Sequence, residues 1–408
     1  MLDSTYDIVI VGAGPSGAIA TLYAKRAGLS VCLVDKETFP RDKICGDALS
    51  GKAVTILREL DLFKAVGDLP GAKIHTVTFG SPDNTLVDID LTRSNRQDFL
   101  TGFVIRRKIL DNFLFSKSRE VADTTMEGFT VREVLKEGET VCGVSGKSES
   151  GESIELKAKV VFGADGFNSV IARKLDLYSH DPKHWVVALR CYYKGVKDLT
   201  DQIELHYVDE VIPGYFWIFP LEDGYANIGI GMLHEYIKSG NIDLKVALNN
   251  AMTSEAFKAR FADAEPMEEP IGWNLPVGSK HRKNHGNGFM LLGDAAGLID
   301  PFTGEGIGNA FFSAKFAVAT AERAIESGDV SASSLAEYDQ TLWDEIGDEL
   351  KVSHRLQEIG RSRTLLNFVI HKAERSQQVR DTIMGMMANE VPKKQLTNPL
   401  FYLKLLFS

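Results

Sequence analysis

Apolar residues follow three rhythms along this chain. The first is the short unbroken run. Tyr6-Asp-Ile-Val-Ile-Val11 and Val31-Cys-Leu-Val34 are rich in β-branched residues and bounded by turns, the pattern of strands buried on both faces. Between them, Ala18-Ile-Ala-Thr-Leu-Tyr-Ala24 is small and helix-prone, so the segment to about Leu69 predicts a βαβ unit with a following helix. Val160-Val-Phe-Gly-Ala-Asp165 and Gly288-Phe-Met-Leu-Leu-Gly-Asp294 predict two more buried strands. The second rhythm alternates. Thr76–Phe79 and Leu86–Leu91 read as strands, and Val131–Val134, Glu139–Val144 and Ser153–Lys157 as an antiparallel meander. From Trp185 to Met232 alternation with aromatic enrichment predicts an antiparallel sheet. The third rhythm is helical: Arg106–Lys117 with Leu110, Phe113 and Leu114 on one side, Asp243–Ala262, Gly306–Ile325, and most of the chain from Ser333 onward.

With 408 residues, 44% of them apolar and 25% charged, the chain can build two or three packed units with a large core. A net charge of −10 excludes the basic footprint that general nucleic-acid binding needs. The four cysteines, Cys32, Cys45, Cys142 and Cys191, are far apart and read as reduced thiols, with Cys32, Cys142 and Cys191 structural. No cluster has metal-ligand spacing, so no metal is expected. No stretch of 18 apolar residues appears, and no charged start precedes an apolar block. The expectation is a cytoplasmic protein, with membrane-surface contact through the apolar Leu400–Phe407 stretch as the alternative to docking of that stretch on the body.

Chemistry enters at Gly12-Ala-Gly-Pro-Ser-Gly17, which joins the first strand to the first helix. Gly12 permits the tight turn, Gly14 lets backbone approach a pyrophosphate, and Gly17 lets helix pack on strand. The helix N-terminus, with Pro15 and Ser16, offers free N–H groups to phosphates, and Asp35, followed by Lys36, is placed to accept ribose hydroxyls. Three further segments suit the same cofactor. Gly163-Ala-Asp165-Gly166-Phe-Asn-Ser169 and Gly293-Asp294-Ala-Ala-Gly297 each follow a strand, and the Asp294 carboxylate can accept hydrogen bonds from a polyol. Asp300-Pro301-Phe-Thr-Gly304-Glu-Gly306 then opens the helix at Ile307, whose N-terminus would stabilise negative charge on a reduced flavin.

These four segments in this order resemble the FAD-binding signature of flavoprotein hydroxylases of the para-hydroxybenzoate hydroxylase type. The resemblance implies an α/β fold. A Rossmann-like FAD-binding domain with a central parallel sheet (1–75, 98–175 and 270–328) would be interrupted by an antiparallel-sheet substrate domain (76–97 and 176–269). A helical region (329–408) would follow. Asp294 would hold the ribityl chain, Pro301 to Gly306 would lie beside the isoalloxazine, and Arg107 of Arg107-Lys-Ile-Leu-Asp111 would contact the cofactor near its phosphates. Two more segments, Pro40-Arg41-Asp-Lys-Ile-Cys45-Gly46-Asp47 and Tyr215-Phe-Trp217-Ile-Phe219-Pro220, are similar to motifs of the geranylgeranyl reductase family. This resemblance puts Cys45, with Arg41 and Gly46, beside the flavin ring. Cys45 would there donate a proton, position an alkene, or fill space. Glu305 departs from the glycine run of many members.

Tyr215, Trp217 and Phe219 alternate, so they share one strand face, and Asn227, Gly229 and Gly231 alternate on the strand expected to pair with it. An aromatic row opposite a small-residue row makes a slot fit for an isoprenoid chain, or an ordinary aromatic core. The reading is an FAD-dependent oxidoreductase that reduces C=C bonds of a geranylgeranyl-type chain, with Tyr215 or Cys45 as proton donor. NAD(P)H docking transiently, or a ferredoxin-like protein, would supply the electrons. The alternative is an FAD-dependent monooxygenase or halogenase acting on an aromatic or polyketide-like substrate; a flavin-bound redox sensor or electron carrier is the non-enzymatic one. The basic run Lys280-His-Arg-Lys-Asn-His285 reads as a solvated loop, or as a site for a diphosphate, anionic lipid or NADPH phosphate.

Overall fold

A computed structural model describes residues 5–93 and 102–387. In its first sheet Phe289–Leu291, Ser153–Gly163, Tyr6–Val11, Val31–Val34 and Thr124–Met126 lie parallel in that order. Val9 faces Val161 on one side and Cys32 on the other. Ile8, Val9 and Ile10 have no exposed surface, as an unbroken apolar run requires. The helix Pro15–Arg26 packs against Arg107–Val121 and Ile307–Ser327. Close packing there depends on glycine: a Cβ on Gly17 would stand 1.8 Å from the Gly12 carbonyl oxygen, and Gly12 itself has φ +101°.

The two strands predicted at Ser153–Lys157 and Val160–Asp165 are one, Ser153–Gly163. Its first half alternates exposed and buried and pairs antiparallel with Thr140–Lys147; its second half is buried throughout and pairs parallel with Tyr6–Val11. One strand thus changes rhythm where its neighbours change.

The second sheet runs Trp185–Lys194, Tyr225–Leu233, Tyr215–Pro220, Gln202–His206, Thr76–Gly80, Leu86–Asp90. It is antiparallel except where Thr76–Gly80 meets Gln202–His206, its single parallel pairing among the described residues. Ile271–Pro276 hydrogen-bonds along Trp185–Lys194, so the stretch assigned from residue 270 to the nucleotide-binding part begins with a strand of this second sheet. Gly272 and Asn274 blur its alternation, which is why periodicity did not reveal it. The two faces of the sheet serve different purposes. Phe216 and Ile218 point into a core covered by Leu244–Thr253, while Trp217, Phe219, Leu205 and Val77 cluster on the other face. The predicted helix Asp243–Ala262 is interrupted: Asp243 caps Leu244–Thr253, Ser254 is extended, and a short turn resumes at Lys258–Phe261.

Three helices close the described chain: Ala332–Ile359, Arg363–Arg375 and Gln377–Met387. Leu366, Ile370 and Val379 from the last two pack on Val87 and Ile89 of the second sheet. No helix among the described residues is long and apolar enough to cross a membrane. The Leu400–Phe407 stretch lies outside the described residues.

Gly229 faces Trp217 across the sheet, and a Cβ there would sit 2.3 Å from an indole carbon and 2.4 Å from the Leu189 carbonyl oxygen. Gly229→Ala should lower the unfolding free energy by about 1–3 kcal/mol, seen as a lower denaturant midpoint at unchanged m-value. A variant as stable as the parent would mean that the indole does not rest on this glycine.

Candidate functional site

The glycine turn, the two Gly-Asp turns and the Pro301–Gly306 loop meet around one cavity of about 1270 Å³, lined by Gly12, Gly14, Pro15, Ser16, Asp35, Lys36, Asp165, Gly166, Asp294, Pro301, Gly304, Gly306 and Ile307. They adjoin one another closely. A Cβ on Gly293 (φ +57°) would lie 3.1 Å from Ser16 Oγ, one on Gly306 would lie 3.8 Å from Asp294 Oδ1, and one on Gly14 would lie 3.4 Å from an Arg41 nitrogen. Gly17 and Gly293 stand behind the wall and shape it.

Two carboxylates are already committed to backbone. Asp35 accepts from the N–H groups of Ala13 (2.7 Å) and Glu37 (2.9 Å). Burial pushes its carboxyl above the ordinary range, and those N–H bonds oppose the shift. Asp165 accepts from Val170 N–H at 2.6 Å through Oδ2, and burial likewise raises it, while its Oδ1 is buried without a protein partner.

Basic groups line the same cavity. Arg107 is 3% exposed and grips Asp111 through Nε and Nη2 at 2.7 and 2.8 Å, while Arg41 reaches the same carboxylate at 2.5 Å. Burial works against ionisation of Asp111, yet Arg107 and Arg41 hold it below the usual carboxylate range. Lys43 Nζ stands 3.1 Å from Asp294 Oδ2.

Cys45 is half-buried on the cavity wall, and its loop is tied down by Asn227. Asn227 donates to the Cys45 carbonyl (2.7 Å) and to Asp47 Oδ2 (2.8 Å), while its own oxygen accepts from the Trp217 indole N–H (2.9 Å). Beyond Cys45 the cavity becomes apolar, with Val77, Phe79, Leu205, Tyr207, Tyr215, Trp217 and Phe219 from the sheet and Leu366, Ile370 and Val379 from the last helices. The expected aromatic row does oppose the small-residue row: Tyr215 faces Gly231, Trp217 faces Gly229, and Phe219 faces Asn227. The space over Gly229, however, is filled by the Trp217 ring, and neither Gly229 nor Asn227 reaches the cavity wall. Tyr215 donates its hydroxyl to the Thr303 carbonyl at 2.6 Å, and burial pushes the phenol far up, so it holds its proton.

The sequence profile of the FAD binding domain family matches residues 5–341. Digeranylgeranylglycerophospholipid reductase 1 of Methanococcoides burtonii is 31% identical over 348 residues, 85% of this chain and 81% of that one. Digeranylgeranylglycerophospholipid reductase 2 of Methanopyrus kandleri is 30% identical over 415 residues, 98% of each chain. This chain is a member of the geranylgeranyl reductase family. Among solved structures, a geranylgeranyl bacteriochlorophyll reductase-like protein from Thermoplasma acidophilum matches with TM-score 0.84 at 25% identity, over 96% of this chain and 98% of that one. A flavin-dependent brominase shares the fold, with TM-score 0.78 at 23% identity and 94% of each chain covered.

A geranylgeranyl reductase family member is an FAD-dependent oxidoreductase, and the cavity suits that cofactor. Gly12 and Gly14 put no side chain in the way of a pyrophosphate, Arg41 lies beside Gly14, and the orphaned Asp165 Oδ1 is a buried acceptor awaiting a donor. The basic run does not join this site. Arg282 donates to the Val277 and Gly297 carbonyls, His285 meets Asp339 at 2.9 Å, and His281 packs at a tilt against Trp343, so the run ties a loop to the Ala332–Ile359 helix.

Several cavity residues escaped the sequence reading. Lys52, Glu349, Gln357 and Arg190 come from distant segments with no spacing signal. Asp47 closes the Pro40–Asp47 segment. It is fully buried at φ +67°, accepts from Asn227 and from the Tyr192 hydroxyl (2.8 Å), and burial pushes its carboxyl up to about 6 despite those bonds and the nearby Arg190 and Arg107. A carboxyl raised from 3.8 binds more protons folded than unfolded, so its contribution falls as pH rises from about 4 to about 6 and then levels. Comparing Asp47→Asn with the parent by denaturant unfolding should therefore show the parent losing on the order of 2 kcal/mol relative to the variant across that window. Parallel pH profiles would refute the assignment.

Proposed function

We propose that this FAD-dependent oxidoreductase saturates C=C bonds in a geranylgeranyl-type isoprenoid chain borne by a lipid, quinone or pigment precursor. The observation that carries the reading is the single cavity, polar around the glycine turn and Asp294 and apolar from Trp217 to Ile370. An apolar arm of this kind binds by surface burial, at ~25 cal/mol per Å², and needs no polar partner along a hydrocarbon. The curated relatives named as digeranylgeranylglycerophospholipid reductases support the same substrate class.

When bound and reduced, FAD supplies the hydride. The chain's residues supply the rest. Gly12, Gly14 and the N–H groups at the start of the Pro15–Arg26 helix would take the pyrophosphate, Asp35 the ribose, and Asp294 the ribityl hydroxyls. Trp217 and Phe219 would form the wall along which the alkene lies, holding it in one orientation and excluding water. Cys45, on the loop clamped by Asn227, is assigned to the proton side of the reaction, since the Tyr215 proton is engaged with Thr303. Tyr215 instead positions the Pro301–Gly306 loop. NAD(P)H docking transiently, or a ferredoxin-like protein, would bring the electrons.

Photoreduction of the FAD-loaded protein without oxygen, followed by addition of a geranylgeranyl lipid, should restore the oxidised flavin spectrum. Reoxidation by oxygen alone, stimulated by an aromatic compound, would sink the reductase reading and favour a monooxygenase. Cys45→Ala should slow alkene-driven reoxidation by about 10²-fold while flavin and lipid affinities hold; undiminished turnover would remove Cys45 from the chemistry.

A further inference from the structure

Glu305 lines the polar end of the cavity. Its Oε1 accepts from the Gly308 N–H at 2.5 Å, at the N-terminus of the 21-residue helix Ile307–Ser327, where free N–H groups carry partial positive charge. Beside it, Lys52 is 7% exposed, with Nζ 2.7 Å from Glu349 Oε2 and 2.9 Å from Asn309 Oδ1. Asp300, 2% exposed, accepts from the N–H groups of Phe302 and Thr303 on the same loop. Three carboxyls therefore crowd around one ammonium, with Lys52 and Asp300 buried and the Glu349 side chain 29% exposed, and their mutual repulsion opposes any further negative charge at this corner. Burial pushes both Glu305 and Asp300 upward; Lys52 opposes the shift at Glu305, and Glu349 adds to it.

Lys52, Asp300, Glu305 and Glu349 all line the cavity. So does Gln357, 4% exposed, whose Oε1 has no protein partner although its Nε2 donates to the Pro301 carbonyl at 2.6 Å. The other groups facing this corner are the Tyr215 phenol, Cys45 and the Lys43–Asp294 pair.

We propose that Glu305 is a proton store for the bound flavin: when a two-electron donor reduces the ring, two electrons and one proton enter the ring and the Glu305 carboxylate takes one further proton from solvent. The exchange offsets the negative charge gained by the ring, and hydride departure to an acceptor returns that proton. The carboxyl group's place at the helix N-terminus explains the coupling. An ionised Glu305 cancels the helix's positive end, whereas a protonated one leaves that end free to stabilise the reduced ring. The inference rests on FAD in this cavity and not on the substrate assigned above.

The test is the midpoint potential of the FAD-loaded protein against pH, read spectroscopically with no alkene present, so failure of the alkene assay leaves it untouched. For a two-electron couple, one proton gives a slope of about 30 mV per tenfold change in proton concentration, and two give about 59 mV. The parent should show the two-proton slope up to a break and the one-proton slope above it, and Glu305→Gln should keep the one-proton slope through the pH range in which the parent shows two. The same break in both proteins would overturn the proposal. Should Glu305→Gln fail to hold flavin, Glu349→Gln keeps the helix cap and removes the like charge; its break must fall, and an unmoved one refutes the idea.

Discussion

Asn227 joins the two halves of the site. Its amide nitrogen holds the Cys45 carbonyl and the Asp47 carboxyl, and its oxygen holds the Trp217 indole, so one fully buried side chain fixes the second sheet against the Cys45 loop of the cavity wall. Every polar atom of the amide is used. In a dry interior an amide with fewer partners would cost about 1–3 kcal/mol per unmet group, so the network holds only as a whole. Cys45, Trp217 and the positive-φ turn at Asp47 thereby share one geometry, and the wall of the apolar arm is registered to the redox end without any direct covalent constraint.

The same molecule handles buried charge in contrasting ways. Asp111 is wrapped by two guanidiniums and stays ionised, which anchors Arg41 and Arg107 at the cavity without leaving either cation bare. Asp47 receives mostly neutral donors, and burial pushes its carboxyl up to about 6. Around Lys52, carboxyls outnumber cations. Burial is comparable at Asp47 and Asp111; what separates them is the charge of the nearest partner.

Much of this was legible in the sequence where chemistry is local. Unbroken apolar runs mark the parallel strands, glycine-acid turns mark the loops at their ends, and Gly14, Asp165, Asp294 and Gly306 do converge on one cavity. Alternation from Trp185 onward marks the second sheet and its aromatic row opposite a small-residue row, while the pairing of Trp217 with Gly229 is seen only in the structure. The failures share a cause. Where a feature depends on what lies across from it, one-dimensional rhythm is silent. Gly229 read as open space because the sequence does not say that the Trp217 ring folds over it. Ser153–Gly163 read as two strands because its partners change midway. Lys52 and Glu349 are nearly 300 residues apart and carry no motif.

The apolar arm is closed at its far side by Arg363–Arg375 and Gln377–Met387, the last described helices, which meet the sheet through Val87 and Ile89. None of the glycine turns, Asp294 or Cys45 belongs to those helices. The helices that line the apolar arm are thus separate from the segments that converge on the polar end of the cavity. Redrawing that one late helical hairpin would lengthen or shorten the apolar arm without touching the glycine turns at its other end.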